Sequence, residues 1–131
     1  WSWRAAYASL PVAVLIALVL YVNQVPDRRG DEAAGKRTLV VRFSPQAVRA
    51  GYLAGAGLAF ALVAAGAAAG VMPRLTLLAL APAPLALRVH RDLAASYDRP
   101  FELLGAMQAN IALHLLTGLC LIAGWALAAV A

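Results

Sequence analysis

The chain has 131 residues, of which 63% are hydrophobic and 13% charged, whereas a soluble globular domain is typically about half apolar and about a quarter charged. The apolar residues form four long runs, and a chain of this length has no soluble core large enough to bury them all. The net charge is +5, but no face interleaves basic with aromatic residues for stacking on bases. The composition therefore predicts a membrane protein surrounded by lipid and excludes nucleic acid as a partner.

The four apolar runs predict an all-α, polytopic transmembrane helix bundle with about four transmembrane helices. The first run has no charge from Ala5 to Val22, and at about 1.5 Å per residue it nearly crosses a hydrocarbon core of about 30 Å. The third run contains Pro82 and Pro84, which predict a short, bent crossing. The first residue is Trp1 rather than Met, which predicts that 1–131 is a single membrane-domain fragment. The predicted helices lie near residues 5–24, 46–71, 74–90 and 101–130, with a polar loop at 25–43.

The basic residues divide unequally between the two sides of such a bundle. If all four segments cross, nine of the basic residues lie in the two loops of one side and two lie on the other side. Cytoplasmic loops carry the excess of Lys and Arg. The count therefore predicts that the 25–43 loop faces the cytoplasm, as in a bacterial-type cytoplasmic membrane. The nine are Arg28, Arg29, Lys36, Arg37, Arg42, Arg49, Arg88, Arg91 and Arg99, and the two are Arg4 and Arg74.

The polar loop contains oxygen ligands at helical spacing. Asn23, Asp27 and Asp31 recur every four residues, so a helical extension of the first segment would place them on one face. Mg²⁺ usually takes one or two protein carboxylates and completes its shell with water and substrate phosphates. Lys36 and Arg37 can hold the oxygens of a diphosphate, lysine as a point charge and arginine as a fork. The spacing predicts a magnesium diphosphate site, and a solvated charged loop is the alternative interpretation.

The same segment carries a longer pattern: an asparagine, then D-x-x-x-D, then G-K-x-T-L-x-V-R. In this pattern it resembles the second aspartate-rich motif of the UbiA superfamily of intramembrane prenyltransferases. The resemblance is strongest to the branch that contains 1,4-dihydroxy-2-naphthoate polyprenyltransferase. One helix before the motif and three after it resemble the C-terminal half of that fold. The matching residues are Asn23, Asp27, Asp31, Gly35-Lys36-Arg37-Thr38-Leu39 and Val41-Arg42.

The resemblance implies Mg²⁺-dependent transfer of a prenyl group from a polyprenyl diphosphate to an aromatic acceptor, in quinone biosynthesis of the menaquinone type. The family carries two aspartate-rich motifs and this chain has one. The resemblance therefore implies a missing N-terminal half of the same protein and no activity for the fragment alone. It assigns catalytic and metal-binding roles to Asp27 and Asp31, an auxiliary metal-binding role to Asn23, and diphosphate contacts to Lys36, Arg37 and Arg28.

Two further polar residues, Asn110 and His114, lie four apart within the last apolar segment. Such residues either mark a functional cavity or join helices by hydrogen bonds. They are therefore candidates for the acceptor cavity or for interhelical bonding. The alternative function is half of a transporter or channel with a cation-binding cytoplasmic loop. A transporter places its ionisable groups near the middle of the membrane, whereas this sequence concentrates them at one mouth.

Overall fold

The computed structural model describes residues 2–130, and every regular element within that range is helical. The prediction of an all-α fold is confirmed. The α-helices are α1 (Trp3–Ala33), α2 (Leu39–Arg42), α3 (Pro45–Ala68), α4 (Pro84–Ser96) and α5 (Leu104–Val130), and two 3₁₀ helices occupy Arg74–Leu80 and Pro100–Leu103.

Three of these helices are long and apolar enough to cross a membrane. They are α1, α3 and the continuous helical stretch Pro100–Val130, which contains α5. Large hydrophobic side chains on their outer faces are exposed, including Leu20 on α1, Leu58 on α3 and Ile122 on α5. Their apolar length and their exposed apolar faces define an integral membrane protein.

The fourth predicted segment differs from the single helix expected at 74–90. Pro82 and Pro84 lack the N–H groups that an α-helix needs. The backbone there makes i to i+3 bonds, such as the 3.0 Å bond from the N–H of Ala83 to the carbonyl of Leu80. The segment is therefore split into a 3₁₀ helix and α4. Thr76, in the 3₁₀ helix, packs on the C-terminal half of α5, and Tyr97 and Asp98, directly after α4, contact Arg28 of α1. The two pieces together therefore extend from one end of the bundle to the other.

Helices α1 and α3 pack antiparallel. The hydroxyl of Tyr21 donates to the carbonyl of Val48 at 3.1 Å, and the hydroxyl of Tyr7 donates to the carbonyl of Leu62 at 3.0 Å. The helices approach closely because α3 has small residues on this side. A Cβ atom added at Gly55 would lie 2.8 Å from a leucine methyl of α1, as expected for glycines at four-residue spacing.

The bundle has two ends that differ in charge. At the motif end, Arg28 of α1 lies beside Asp98, in the loop between α4 and α5. At the opposite end, a guanidinium nitrogen of Arg4 donates to the carbonyl of Gly70 at 3.5 Å. The two basic loops therefore share the motif end, as the charge count requires. That this end faces the cytoplasm stays a prediction.

Candidate active site

Helix α1 continues beyond the apolar run and through much of the segment that was expected to be a loop. It ends at Ala33 rather than near residue 24. The polar residues at 25–33 are therefore helical, and Pro26 lies inside the helix, which loses one backbone hydrogen bond there because proline has no N–H. A continuous helix places Asn23, Asp27 and Asp31 on one face, here called the acid face.

Gly35 ends this helix and sets the position of the residue that follows. Its φ angle is +72°, a left-handed conformation that glycine adopts without steric cost. The N–H of Lys36 donates to the carbonyl of Asp31 at 2.9 Å, and the N–H of Gly35 donates to the carbonyl of Glu32 at 3.0 Å. These two bonds form a Schellman motif, which turns the chain back toward the last turn of α1.

The reversal brings Lys36 onto the acid face. Lys36 Nζ lies 2.7 Å from Oδ1 of Asp31, whose side chain is only 12% exposed. This hydrogen bond raises the pKa of the Lys36 ammonium above its usual value, and the charges of Asp31 and, less strongly, Asp27 add to the shift. Lys36 is therefore cationic at neutral pH. Asp27, the other carboxylate of the acid face, is exposed to solvent.

The other two predicted diphosphate contacts lie elsewhere. Arg28 is one residue beyond Asp27, about 100° further round the helix. Its guanidinium lies 5.7 Å from the centre of the Tyr97 ring, and its Nη1 is 3.5 Å from a carboxylate oxygen of Asp98. Arg37 is exposed and has no ion-pair partner within residues 2–130. Only Lys36 of the three contacts the acid face.

An apolar groove of about 580 Å³ lies between α1, α2 and α3. Leu20 and Gln24 line the groove and come before Asp27 and Asp31 on α1. The four residues follow one another at intervals of four, three and four, which places their side chains on the same side of the helix. The groove therefore begins directly below the acid face and extends toward the membrane interior. Its full lining is Val14, Ala17, Leu18, Leu20, Tyr21, Gln24, Leu39 and Gly51.

Asn110 forms interhelical hydrogen bonds at the centre of the bundle. It is 2% exposed, its Oδ1 accepts from the hydroxyl of Tyr52 at 3.0 Å, and its Nδ2 donates to the carbonyl of Leu18 at 3.0 Å. These bonds join α1, α3 and α5, which favours interhelical bonding over an acceptor contact. His114 is partly buried, and its Nδ1 has no partner within the described residues. An acceptor role for His114 stays a prediction.

One basic residue near this site had no assigned role at the sequence level. Arg49 of α3 is oriented so that the residue is partly buried and its Nε is fully buried. Arg49 follows buried Val48 by one residue and precedes buried Tyr52 by three. Helical periodicity therefore places residue 49 near the edge of the buried face. This position is the only sequence signal for the orientation of Arg49.

Residues 2–130 contain no group of three or more His, Cys, Asp or Glu side chains that could hold a metal ion. The acid face supplies two carboxylates and one amide. This donor set fits Mg²⁺, which usually keeps several waters and also binds substrate phosphates, and it does not fit an ion that needs a full protein cage.

The fold and the site define a helical membrane protein with an acidic face at the mouth of an apolar groove. The UbiA prenyltransferase family matches residues 1–111, and the chain belongs to that family. Membership implies a prenyltransferase with a prenyl diphosphate donor and an aromatic acceptor. No curated protein and no solved structure matches the chain.

Proposed function

We propose that the protein transfers a prenyl group from a polyprenyl diphosphate to an aromatic acceptor in a Mg²⁺-dependent reaction at the acid face. The observation that carries this proposal is the arrangement at the motif end. Asp27 and Asp31 share one face of α1, Lys36 is folded onto Asp31, and an apolar groove begins below them. A diphosphate with a long hydrocarbon tail has this combination of a charged head and an apolar body.

The acid face would bind the metal ion, and Lys36 would bind the diphosphate oxygens. Asp27, Asp31 and the amide oxygen of Asn23 would hold Mg²⁺, which when bound offsets the negative charge of the leaving group. The ammonium of Lys36 has three N–H donors, and Asp31 uses one of them. The remaining donors can bind diphosphate oxygens without breaking the Lys36–Asp31 pair.

The groove supports the second half of the reaction. Its walls are mainly aliphatic and include Leu20 of α1, Leu39 of α2 and Gly51 of α3. Such a lining would bury the prenyl chain and exclude water from the allylic carbon when its bond to the diphosphate breaks. An electron-rich aromatic ring can then attack that carbon in place of water, and the ring loses a proton to restore its aromaticity.

We extend the proposal to an acceptor of the naphthoate type and to quinone biosynthesis of the menaquinone type. The support is the run from Gly35 to Arg42, which resembles that branch of the family. We also propose that the motif end faces the cytoplasm, because the basic loops lie there. The two carboxylates of the acid face leave the remaining Mg²⁺ ligands to water and to the substrate.

The experiment compares three single variants of the full-length protein in membranes: Asp27→Asn, Asp31→Asn and Glu32→Gln. Glu32 is an exposed acid next to Asp31 that lies off the acid face, so Glu32→Gln is a control for the loss of one negative charge. We expect the two aspartate variants to lose Mg²⁺-dependent prenyl transfer by about 100-fold or more, because a catalytic metal supplies several kcal/mol. The control should keep its activity.

A second measurement tests the metal without relying on activity. Mg²⁺ on the acid face would lower the pKa of Lys36 by charge repulsion, so Mg²⁺ should speed acylation of this lysine at a fixed alkaline pH. The acceleration should be absent in Asp27→Asn. Full prenyl transfer in both aspartate variants would refute the assigned site, and Mg²⁺-driven ion flux without transfer would favour a transporter or channel.

A further inference from the structure

A second apolar groove lies between the N-terminal half of α1 and the C-terminal half of α5, at the end of the bundle opposite the motif. Its volume is about 660 Å³, and it shares no residue with the groove below the acid face. It is here called the α1–α5 groove. The proposed prenyl transfer leaves this groove unused. Its lining includes Ala5, Ala8 and Val12 of α1 and Gly118, Leu121 and Trp125 of α5.

Small residues leave this groove open instead of closing it. In membrane helices, small residues usually let two backbones approach closely, as at Gly55, where an added Cβ would lie 2.8 Å from a leucine methyl. At Gly118 an added Cβ would meet no atom within 4 Å, although Ala5 and Ala8 line the same groove from α1. An apolar space of this size in a bilayer holds hydrocarbon, from a lipid or from another protein segment, because water finds no polar partners there.

A charged side chain, that of Arg4, lies at the mouth of the groove. Its guanidinium has five N–H donors, and its contact in the described part of the chain is one long hydrogen bond of 3.5 Å to the carbonyl of Gly70. No carboxylate between residues 2 and 130 pairs with it. All six acids of the chain lie within 27–32 or 92–102, and the first of them, Asp27, is about 35 Å further along α1. Arg4 therefore carries an unbalanced positive charge.

The groove begins at the membrane interface and extends through most of one leaflet. Helix α1 ends at the motif end and α5 begins there, so the two helices run antiparallel and Trp125 lies level with Arg4. Tryptophan is enriched at membrane interfaces, which places this end of the groove among the headgroups. From Arg4 to Val12 the groove follows about 12 Å of α1, and one leaflet contributes about 15 Å to the hydrocarbon core.

We propose that the α1–α5 groove binds an anionic phospholipid from the leaflet opposite the motif end. One acyl chain lies along the apolar walls of the groove. The phosphate oxygens accept charge-assisted hydrogen bonds from the guanidinium of Arg4. The site does not depend on the prenyl transfer reaction.

The charges favour a lipid over a second copy of the chain as the occupant. Copies in one membrane share one orientation, because the distribution of basic residues that sets it is the same in each. The acids of a second copy, at 27–32 and 92–102, would therefore lie in its own motif-end half, away from Arg4. A helix of that copy could fill the groove but would bring no carboxylate to its mouth. An anionic phospholipid supplies the hydrocarbon and the negative charge at the required levels.

Tryptophan fluorescence tests the site, because a brominated acyl chain quenches a tryptophan that it contacts. The full-length protein is placed in phosphatidylcholine bilayers with increasing fractions of phosphatidylglycerol that carries brominated chains. The quenching that is absent in Trp125→Phe belongs to Trp125. We expect half-quenching of Trp125 at a lipid fraction about fivefold lower with brominated phosphatidylglycerol than with brominated phosphatidylcholine, which is the contribution of one cation near the membrane surface.

The headgroup contact is tested by two arginine variants. Arg4→Gln should raise the half-quenching fraction of phosphatidylglycerol about fivefold, to that of phosphatidylcholine. Arg74→Gln is the matched control, since Arg74 is an exposed arginine at the same end of the bundle that does not line the groove. It should leave the fraction unchanged. Equal shifts in the two variants would show general attraction of anionic lipid to a basic surface and would overturn the site.

The acyl-chain contact is tested by filling the groove. Gly118→Leu should abolish the preference of Trp125 for phosphatidylglycerol. Gly105→Leu is the control, because Gly105 is a glycine of the same helix with equally open surroundings, near the motif end, and it should keep the preference. A preference retained in Gly118→Leu would place the lipid outside the groove and refute the proposal. Absence of Trp125 quenching by both lipids, with a lower unfolding temperature for Gly118→Leu than for Gly105→Leu, would show that a protein segment covers the groove, which also refutes it.

Discussion

Lys36 meets Asp31 twice, through its backbone N–H to the carbonyl at 2.9 Å and through Nζ to Oδ1 at 2.7 Å. The backbone bond belongs to the turn that ends α1, so the side-chain pair is a direct consequence of how the helix stops. The acid face therefore carries its own counter-ion before any ligand binds. This leaves Asp27 as the more open of the two carboxylates.

The first prediction concerns the pH dependence of this pair. Asp31 raises the pKa of Lys36 above its usual 10.5. A raised lysine pKa stabilises the folded state fully below the usual value, and this stabilisation is lost as the pH rises through the raised value. We expect the pair to persist from neutral pH to above pH 10. Lys36 is the only lysine of the chain, so the pH dependence of its acylation, read by mass spectrometry, reports its pKa directly.

Variants of the neighbouring acids should lower the acylation midpoint of Lys36 to different extents. Asp31→Asn should lower the acylation midpoint of Lys36 most, because it removes both the charge and the strongest acceptor. Asp27→Asn should lower it less, since Asp27 acts by charge alone. Glu32→Gln serves as the charge control and should leave the midpoint nearly unchanged. A midpoint that did not respond to Asp31→Asn would show that the pair does not form in the membrane.

The acid face could be predicted from the sequence because it depends on local spacing alone. Four-residue intervals place three side chains on one face of any helix. The extent of that helix was harder to predict, since Pro26 and the charges after it suggested a loop. The outcome depended on Gly35, which provides a left-handed residue only at the end of the segment.

The positions of Arg28 and Asn110 could not be predicted in the same way. Arg28 was expected at the diphosphate, but its nearest groups, Tyr97 and Asp98, come from a loop distant in sequence. Asn110 bonds to Tyr52 and to the carbonyl of Leu18. Both arrangements require long-range packing, which periodicity within one helix does not specify. The sequence narrowed Asn110 to two roles, and the packing favours one of them.

The second prediction contrasts two glycines at the end of α1. A methyl group would meet no atom within 4 Å at either Gly30 or Gly35, but only Gly35 has a positive φ angle. Gly35→Ala should destabilise the protein by about 1–2 kcal/mol, because a left-handed alanine is strained. Gly30→Ala should stabilise it by about 0.5–1 kcal/mol, since Gly30 lies within a helix.

Thermal unfolding in detergent measures this contrast, and Lys36 acylation adds a local readout. In Gly35→Ala, loss of the turn should release Lys36 from Asp31 and lower its acylation midpoint, whereas Gly30→Ala should leave the midpoint unchanged. Equal unfolding temperatures for the two alanine variants would contradict a helix end at Gly35.

The third prediction concerns the hydrogen bonds at the centre of the bundle. Asn110→Leu leaves the buried hydroxyl of Tyr52 without an acceptor, which should cost about 1–3 kcal/mol. Tyr52→Phe leaves the Asn110 oxygen unpaired in the same way. The double variant removes both groups, so it should be less destabilised than the sum of the single variants, with a coupling of about 0.5–2 kcal/mol. Reversible unfolding in mixed micelles gives all three values, and additive effects would argue against the Tyr52–Asn110 bond.

The fourth prediction tests how the 3₁₀ helix at Arg74–Leu80 packs against α5, through two glycines of α5. A Cβ added at Gly124 would lie 2.7 Å from the carbonyl oxygen of Leu75 and from the backbone of Thr76, whereas one added at Gly118 would meet nothing within 4 Å. Backbone atoms cannot move aside as a flexible side chain can, so Gly124→Ala should force the 3₁₀ helix away from α5. Overpacking of this kind costs about 1–3 kcal/mol.

Gly118→Ala is the matched control, in the same helix and with the same added methyl group, and it should be neutral or slightly stabilising. The comparison is made by unfolding both variants under identical conditions. A Gly124→Ala variant as stable as Gly118→Ala would mean that the segment from Arg74 to Leu80 does not pack against α5.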